Sequence, residues 1–412
     1  MKKLLLWLLL ILVSIMSFVK TVSSDDFDPP AKSAFVFEVN SGKVLYQKNA
    51  NETTEIASIT KLLTIYLVYK EIEHQRLDWN DTVNISDYSY SLAAEGVVSN
   101  VPLDKRQYTV KELVEATLIA NANSPAISLA EHISGSEAQF VDKMKKQLRD
   151  WGIKDTKLVN ASGLNNEQLG HNIYPDSKKT DENMMSASDV AIIANKLLTD
   201  FPEVTKMTKQ VSADFDNTTM HTYNHLLPEA FLARPGVDGL ITGTSSKGGA
   251  SFVATSTENG MRIVTVVLNA DDADKDEFAR FKATNEILDY ILANYEKKTI
   301  LKKGQTVDSN EVSVRDGKQK TVKATAARDL TIIRPINQKS KIVFQANQKE
   351  LTAPVKGKTK VGHFVFQDKH LVGDGYLGDL PKVTAQTKTS VKRSFFLKVW
   401  WNHFVTYVNE RL

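Results

Sequence analysis

The rhythm of hydrophobic positions changes along the chain, and each change marks an element. Ser33-Ala34-Phe35-Val36-Phe37-Glu38-Val39 and Val44-Leu45-Tyr46-Gln47-Lys48 read as strands flanking a turn at Asn40-Ser41-Gly42-Lys43, together a hairpin. The run Leu62-Leu63-Thr64-Ile65-Tyr66-Leu67-Val68-Tyr69 is apolar nearly all round, which predicts a buried helix. After a polar, turn-rich stretch, Thr109-Val110-Lys111-Glu112-Leu113 opens another helix, with Thr109 as N-cap and Glu112 at capping-box spacing. That helix is expected to run to a break at Pro125, with a second following through Ala126, Leu129 and Ile133. Phe140, Met144 and Leu148 fall at helical spacing, and Ser186-Ala187-Ser188-Asp189 caps a helix from Val190 to Leu198.

From Gly239 to Ala270 the period shortens. Gly239 to Thr244, Ala250 to Ser256 and Arg262 to Leu268 read as three antiparallel strands joined by short glycine-bearing connectors. A helix from about Phe278 to Tyr295 closes the segment. Helices plus an antiparallel sheet drawn from both ends of the segment make an α+β fold. Residues 299–388 then carry short alternating strands, such as Lys341 to Phe344 and His363 to Phe366, between lysine-rich turns: a separate small all-β domain. The last segment, 389–412, is too short and too charged to span a bilayer. On a helix its Phe396, Val399, Trp400, Phe404, Tyr407 and Val408 gather on one side, with Lys392, Lys398 and Asn402 elsewhere. That is the pattern of an amphipathic helix lying in a membrane interface, and the alternative is a C-terminal helix docked on the protein.

Composition narrows the class without naming it. A chain of 412 residues with 42% hydrophobic and 25% charged residues is ordinary globular protein of two or three domains. A net charge of +3, with no long basic run interleaved with aromatics, argues against nucleic acid as a partner. Lys2 and Lys3, the apolar stretch Leu4 to Val19, and Val22-Ser23-Ser24 before Asp25-Asp26 describe a secretory signal over residues 1–24. This leaves 25–298 as the first folded domain. An uncleaved anchor is the competing reading. The chain has no cysteine, so export does not bring disulfides with it.

The chemistry centres on Ala57-Ser58-Ile59-Thr60-Lys61, at the head of the first apolar helix. Positions three apart share a helix face about 5–6 Å apart at Cβ, so the Ser58 hydroxyl and Lys61 amine are within mutual reach. A buried lysine loses its charge readily, and a neutral amine can take the proton of a neighbouring hydroxyl and make it a nucleophile. Against this stands the common case, in which serine and lysine on a helix are solvated surface. His221 and His225 are spaced like a ligand pair, but Thr222-Tyr223-Asn224 between them supplies no glutamate base, and packing or surface roles suit them better. No G-x-S-x-G elbow is present. No metal and no cofactor is expected.

Taken together, these pieces resemble the serine D-alanyl-D-alanine carboxypeptidases, the low-molecular-weight penicillin-binding proteins of the bacterial cell wall. The likeness rests on the signal segment, the hairpin from Phe35 to Lys48, Ser58-Ile59-Thr60-Lys61, Ala122-Asn123, Asn160-Ala161-Ser162-Gly163-Leu164, Val237-Asp238-Gly239-Leu240 before Thr242-Gly243-Thr244, and the tail. A β-lactamase shares the first motif but needs neither the extra β domain nor the tail. The resemblance implies a penicillin-binding/β-lactamase-like α+β domain. In it Ser58 attacks the carbonyl between the terminal D-alanines of a peptidoglycan stem peptide and Lys61 acts as base. It also implies an oxyanion hole at the Ser58 and Thr244 backbone N–H groups, Asn123 on the substrate amide, and β-lactam antibiotics as covalent inhibitors. The expected place is outside the cell, on the outer face of the cytoplasmic membrane.

Two motifs depart from the family pattern. S-x-N is replaced by Asn121-Ala122-Asn123, and an amide does not pass a proton on as a hydroxyl does. K-T-G is replaced by Ile241-Thr242-Gly243, which removes the charge that faces the substrate carboxylate and keeps Lys61 basic. The expected substrate-binding set is Ile241, Thr242, Gly243 and Thr244. Carboxypeptidase action is the favoured reading. A catalytically impaired paralogue that binds wall peptides or penicillin at the membrane is the alternative.

Overall fold

The computed structural model describes residues 27–308 and 310–411, so the expected signal segment lies outside the described residues. The first part of the chain folds around a five-stranded antiparallel sheet. The chain runs through β1 (Ala31–Glu38), β2 (Val44–Lys48), α1 (Lys61–Glu73), α2 (Val110–Ile119), α3 (Asn123–Ser134), α4 (Glu137–Asp150) and α5 (Ala187–Asp200). It continues through β3 (Val237–Ser245), β4 (Gly249–Glu258), β5 (Met261–Ala270) and α6 (Ala279–Asn294). The sheet order is β2-β1-β5-β4-β3, so the first strand pairs with the last, Phe35 opposite Val266 and Phe37 opposite Val264.

Both faces of this sheet are covered, which is why its strands read as unbroken apolar runs. Phe35 and Phe37 point into the main core with the helices α1 to α5. The alternate residues Ala34 and Val36 meet Ile287 and Ile291 of α6 on the other face. At the helix starts, Thr109 and Glu112 form the expected capping box, and Ser186 with Asp189 forms another.

Two sequence expectations shift. The helix opening at Val110 ends at Ile119, before the expected break, and the next begins at Asn123. Pro125 therefore lies in a first turn, where its missing N–H costs nothing. Ser58 sits in a short 3-10 turn, Ala57–Thr60, and the α-helix proper begins at Lys61.

The β-rich part follows at once with β6 (Tyr295–Leu301), β7 (Glu311–Arg315), β8 (Thr321–Ala326), β9 (Leu330–Pro335), β10 (Lys341–Ala346), β11 (Glu350–Thr352), β12 (Lys360–Gln367) and β13 (Lys382–Thr387). Strands β10-β12-β13-β8-β7-β11 form one sheet, and β6 pairs with β9. Its core of Val312, Val322, Phe364, Phe366 and Val383 is separate from the first. The two parts are joined by a buried ion pair between Lys43 of the hairpin turn and Asp368, which also accepts from the Tyr376 hydroxyl at 2.7 Å.

The final helix, α7 (Phe396–Arg411), docks through buried Val399 and a 2.9 Å hydrogen bond between His403 and the buried Asp316. Phe395, Phe396, Trp400, Trp401, Phe404 and Tyr407 remain exposed. Among the described residues, no helix is long and apolar enough to cross a membrane.

Candidate active site

Ser58 is presented by a turn clamped from two sides. Ala57 adopts φ 45°, a left-handed conformation that costs a non-glycine residue energy. Gly163 lies so close that a Cβ there would meet the Ala57 carbonyl oxygen at 1.9 Å, and Gly163 itself has φ 85°. Only glycine serves at that point of Asn160-Ala161-Ser162-Gly163.

Lys61 is fully buried. Its Nζ lies 2.7 Å from Ser58 Oγ, 2.7 Å from Asn123 Oδ1 and 2.9 Å from the Ser162 carbonyl oxygen. The Asn123 amide is oriented unambiguously, because its Nδ2 donates to the Ser99 carbonyl at 2.8 Å and Oδ1 must therefore face Lys61. Lys61 has no carboxylate partner among the described ion pairs, and burial holds its pKa well below the ordinary lysine value. A neutral amine has two N–H donors and one lone pair. Asn123 Oδ1 and Ser162 O take the two donors, which leaves the lone pair for the Ser58 hydroxyl proton.

This half of the site rests on a fully bonded support. Asn183 donates from Nδ2 to Thr60 Oγ1 at 2.9 Å and to the Asn160 carbonyl at 2.9 Å. Asn160 Oδ1 accepts from the Gly163 N–H at 2.6 Å, and Thr64 Oγ1 donates to the Ala161 carbonyl at 2.6 Å. The Ala161 N–H donates at 2.8 Å to Glu137, whose carboxyl is pushed up to about 7, above all by burial.

The opposite wall is built differently. Asn121 has φ 52°, which asparagine tolerates better than most residues. Its Nδ2 crosses the cleft to the Thr242 carbonyl at 2.9 Å and lies 3.4 Å from Thr242 Oγ1. Because a carbonyl only accepts, the amide orientation is fixed, and Oδ1 is left buried without a partner. Thr242 and Thr244, on one face of β3, line a cleft of about 230 Å³ together with Ser58 and Asn121. Ile241 does not line it: the side chain is buried in the main core. Gly243 lets β3 approach the Ser58 turn, since a Cβ there would come within 2.8 Å of the Ile56 carbonyl.

Several cleft residues were not legible in the sequence, among them Ser99, Glu277 and above all Arg280. Arg280, in the first turn of α6, donates through Nη1 to the carbonyls of Gly243 at 2.9 Å and Ser251 at 3.2 Å, and lines the same cleft. It has no ion-pair partner among the described residues, its Nε is buried and unpaired, and burial pushes its pKa down to about 10. The available signal was slight: a cation at a helix N-terminus opposes the helix dipole, so it calls for another reason to be there. His225 also lines the cleft, edge-on to Phe278 and Phe281, whereas His221 is exposed on a separate strand. A second, wider hollow of about 620 Å³ shares Ser99 and Tyr223 with the cleft and extends to Tyr90 and Asp104.

The sequence matches a family model for D-alanyl-D-alanine carboxypeptidase over residues 19–272, and one for the penicillin-binding protein 5 C-terminal domain over residues 295–393. The chain is 30% identical over 345 residues to the D-alanyl-D-alanine carboxypeptidase DacF of Bacillus subtilis, covering 82% of this chain and 81% of that protein. Among solved structures it is similar to a peptidoglycan synthesis regulatory factor (PBP3) from Streptococcus pneumoniae. That match has a TM-score of 0.82 and 44% identity, over 89% of this chain and all of that one. Penicillin-binding protein D2 of Listeria monocytogenes, solved in an ampicillin-bound form, matches with a TM-score of 0.54 and 26% identity over 64% of this chain and 98% of that one.

Proposed function

The chain belongs to the D-alanyl-D-alanine carboxypeptidase family, the low-molecular-weight penicillin-binding proteins, and from that premise we propose how its own residues carry out the reaction. The protein removes the terminal D-alanine from peptidoglycan stem peptides through an acyl-enzyme on Ser58. Lys61, neutral in its buried setting, takes the Ser58 proton as Oγ adds to the carbonyl of the penultimate D-alanine. The backbone N–H groups of Ser58 and Thr244 hold the developing oxyanion. Asn123 orients both Lys61 and the substrate amide.

Thr242, Thr244 and Arg280 receive the substrate's terminal carboxylate, with Arg280 supplying the positive charge that Ile241 lacks. When the C–N bond breaks, the leaving amine needs a proton. Asn121 has no hydroxyl to relay one, so the proton returns from Lys61 itself. Water then adds to the acyl carbon, giving its proton to Lys61, and Ser58 leaves with that proton restored. The single observation that carries this reading is the fully buried Lys61, 2.7 Å from Ser58 Oγ with both its donors already engaged.

The N-terminal segment directs export, and α7 lies on the outer face of the membrane through its exposed aromatics. Residues up to Ser394 are bonded to the β-rich part: Val391 pairs with Val355, and the Ser394 N–H donates to the Asp316 carbonyl at 2.8 Å. A soluble form therefore ends after Ser394.

The test is the intact mass of that soluble form after incubation with benzylpenicillin, beside Ser58→Ala, together with D-alanine release from a stem pentapeptide. Adduct and release in the parent, with neither in the variant, are expected. A variant that still releases D-alanine would remove Ser58 from the mechanism.

A further inference from the structure

The β-rich part gathers positive charge that the carboxypeptidase chemistry does not use. Where the chain leaves β13 for α7, backbone bonds join it to three other segments. The Lys358 N–H donates to the Thr387 carbonyl at 3.0 Å, Lys388 N–H to the Lys323 carbonyl at 2.8 Å, and Lys318 N–H to the Lys392 carbonyl at 2.9 Å. Val355 pairs with Val391, and Gly317 with Arg393. These contacts bring Lys318, Lys323, Lys356, Lys358, Lys388 and Lys392 to one end of the part, and all six are exposed. None of the six enters an ion pair among the described residues. The buried acid Asp316 is already engaged by His403 at 2.9 Å and Arg393 at 4.0 Å.

Concentrating like charges costs self-repulsion, offset only at Lys323, which lies opposite Glu311 in the pairing of β7 with β8. The patch stands at the base of α7, the helix with the exposed aromatic residues. Apolar burial and attraction to anionic lipid add together in interfacial binding, and clusters of four to eight basic residues beside a membrane-binding helix are the pattern that attracts anionic headgroups. We infer that this end of the β-rich part is a second membrane contact, whose lysines engage the headgroups of anionic phospholipid while α7 inserts its aromatics. The inference rests on α7 lying at the membrane, as proposed above. It adds the lipid class, and a fixed orientation in which the base of α7 faces the bilayer.

The test uses the full mature chain and vesicles of phosphatidylcholine, alone or mixed with phosphatidylglycerol. A variant carrying Lys318→Gln, Lys323→Gln, Lys356→Gln and Lys358→Gln removes charge from exposed positions, and the matching Lys→Arg set preserves it. The parent should partition about tenfold or more in favour of the mixed vesicles, a preference that fades with salt. The Gln set should lose most of that preference while still binding phosphatidylcholine, and the Arg set should keep it. Unfolding midpoints of the variants serve as the folding control. Equal binding of the parent to both vesicle types, or an undiminished preference in the Gln set, overturns the lysine patch but leaves the tail reading standing. No binding to either vesicle overturns the tail reading, and the inference with it.

Discussion

The two walls of the cleft differ in how completely their polar atoms are satisfied. On the Ser58 side, Lys61, Asn123, Asn160 and Asn183 bond to one another and to backbone. On the β3 side, Asn121 Oδ1 and Arg280 Nε are buried without partners. A satisfied buried network is rigid and specifies one geometry, whereas an orphaned buried polar atom costs about 1–3 kcal/mol until something meets it. The nucleophile is therefore prepared before substrate arrives. The wall proposed to receive the carboxylate and leaving group is where the family pattern is altered, and where the chain has room to gain or lose rate.

That contrast is broken most directly by restoring the altered wall. Asn121→Ser, which returns a hydroxyl to the cleft, should raise kcat for D-alanine release by about 10²-fold, the usual worth of one general acid–base group. Ile241→Lys would bury an unpaired charge in the core and should lower stability without raising the rate. If the Asn121→Ser variant turns over no faster than the parent, rate is set elsewhere than in proton delivery. The satisfied wall predicts the opposite behaviour: Asn123→Ala would leave a Lys61 donor unpaired and lower kcat without help from any change on β3.

Arg280 sharpens the comparison next. Arg280→Gln should raise KM for a peptide ending in a free carboxylate by about 10- to 100-fold, the worth of one charge-assisted hydrogen bond. A C-terminally amidated analogue, which has no charge to receive, should bind parent and variant alike. An equal loss on both substrates would mean that Arg280 serves only to hold the Gly243 and Ser251 carbonyls.

Sequence alone carried the nucleophile wall further than its opposite, for a physical reason. Ser58 and Lys61 are neighbours in sequence, so a local helical pitch brings them together, and the strands of the sheet announce themselves by apolar runs. Asn121 and Thr242 meet only through the tertiary fold. Arg280 reaches the cleft from a helix that packs on the far face of the sheet, and its role follows from burial without an ion-pair partner, which spacing does not encode. The motif position predicts a cleft residue at Ile241. Strand alternation sends its side chain to the core while Thr242 and Thr244 line the cleft.

The smallest effect on turnover, and the most specific to the satisfied wall, concerns Glu137. Its carboxyl is held up to about 7, chiefly by burial and also by the nearby Glu131, which burial raises too. The native state thus binds this proton more tightly than the unfolded chain, whose glutamate titrates near 4.5. Stability from this group is fully present below about 4.5 and falls as pH rises through about 7, by at most about 3 kcal/mol. Glu137→Gln keeps an oxygen to accept the Ala161 N–H but cannot ionise. Urea unfolding at pH 5 and pH 8 should therefore show a loss of stability in the parent that is smaller in the variant. Because the Ala161 loop also presents the Ser162 carbonyl to Lys61, kcat of the variant should stay within about threefold of the parent at either pH, an estimate that treats the acceptor bond as retained. A parent and a Glu137→Gln variant with the same pH slope would show that the proton is held by other groups, and that this wall is satisfied with Glu137 ionised.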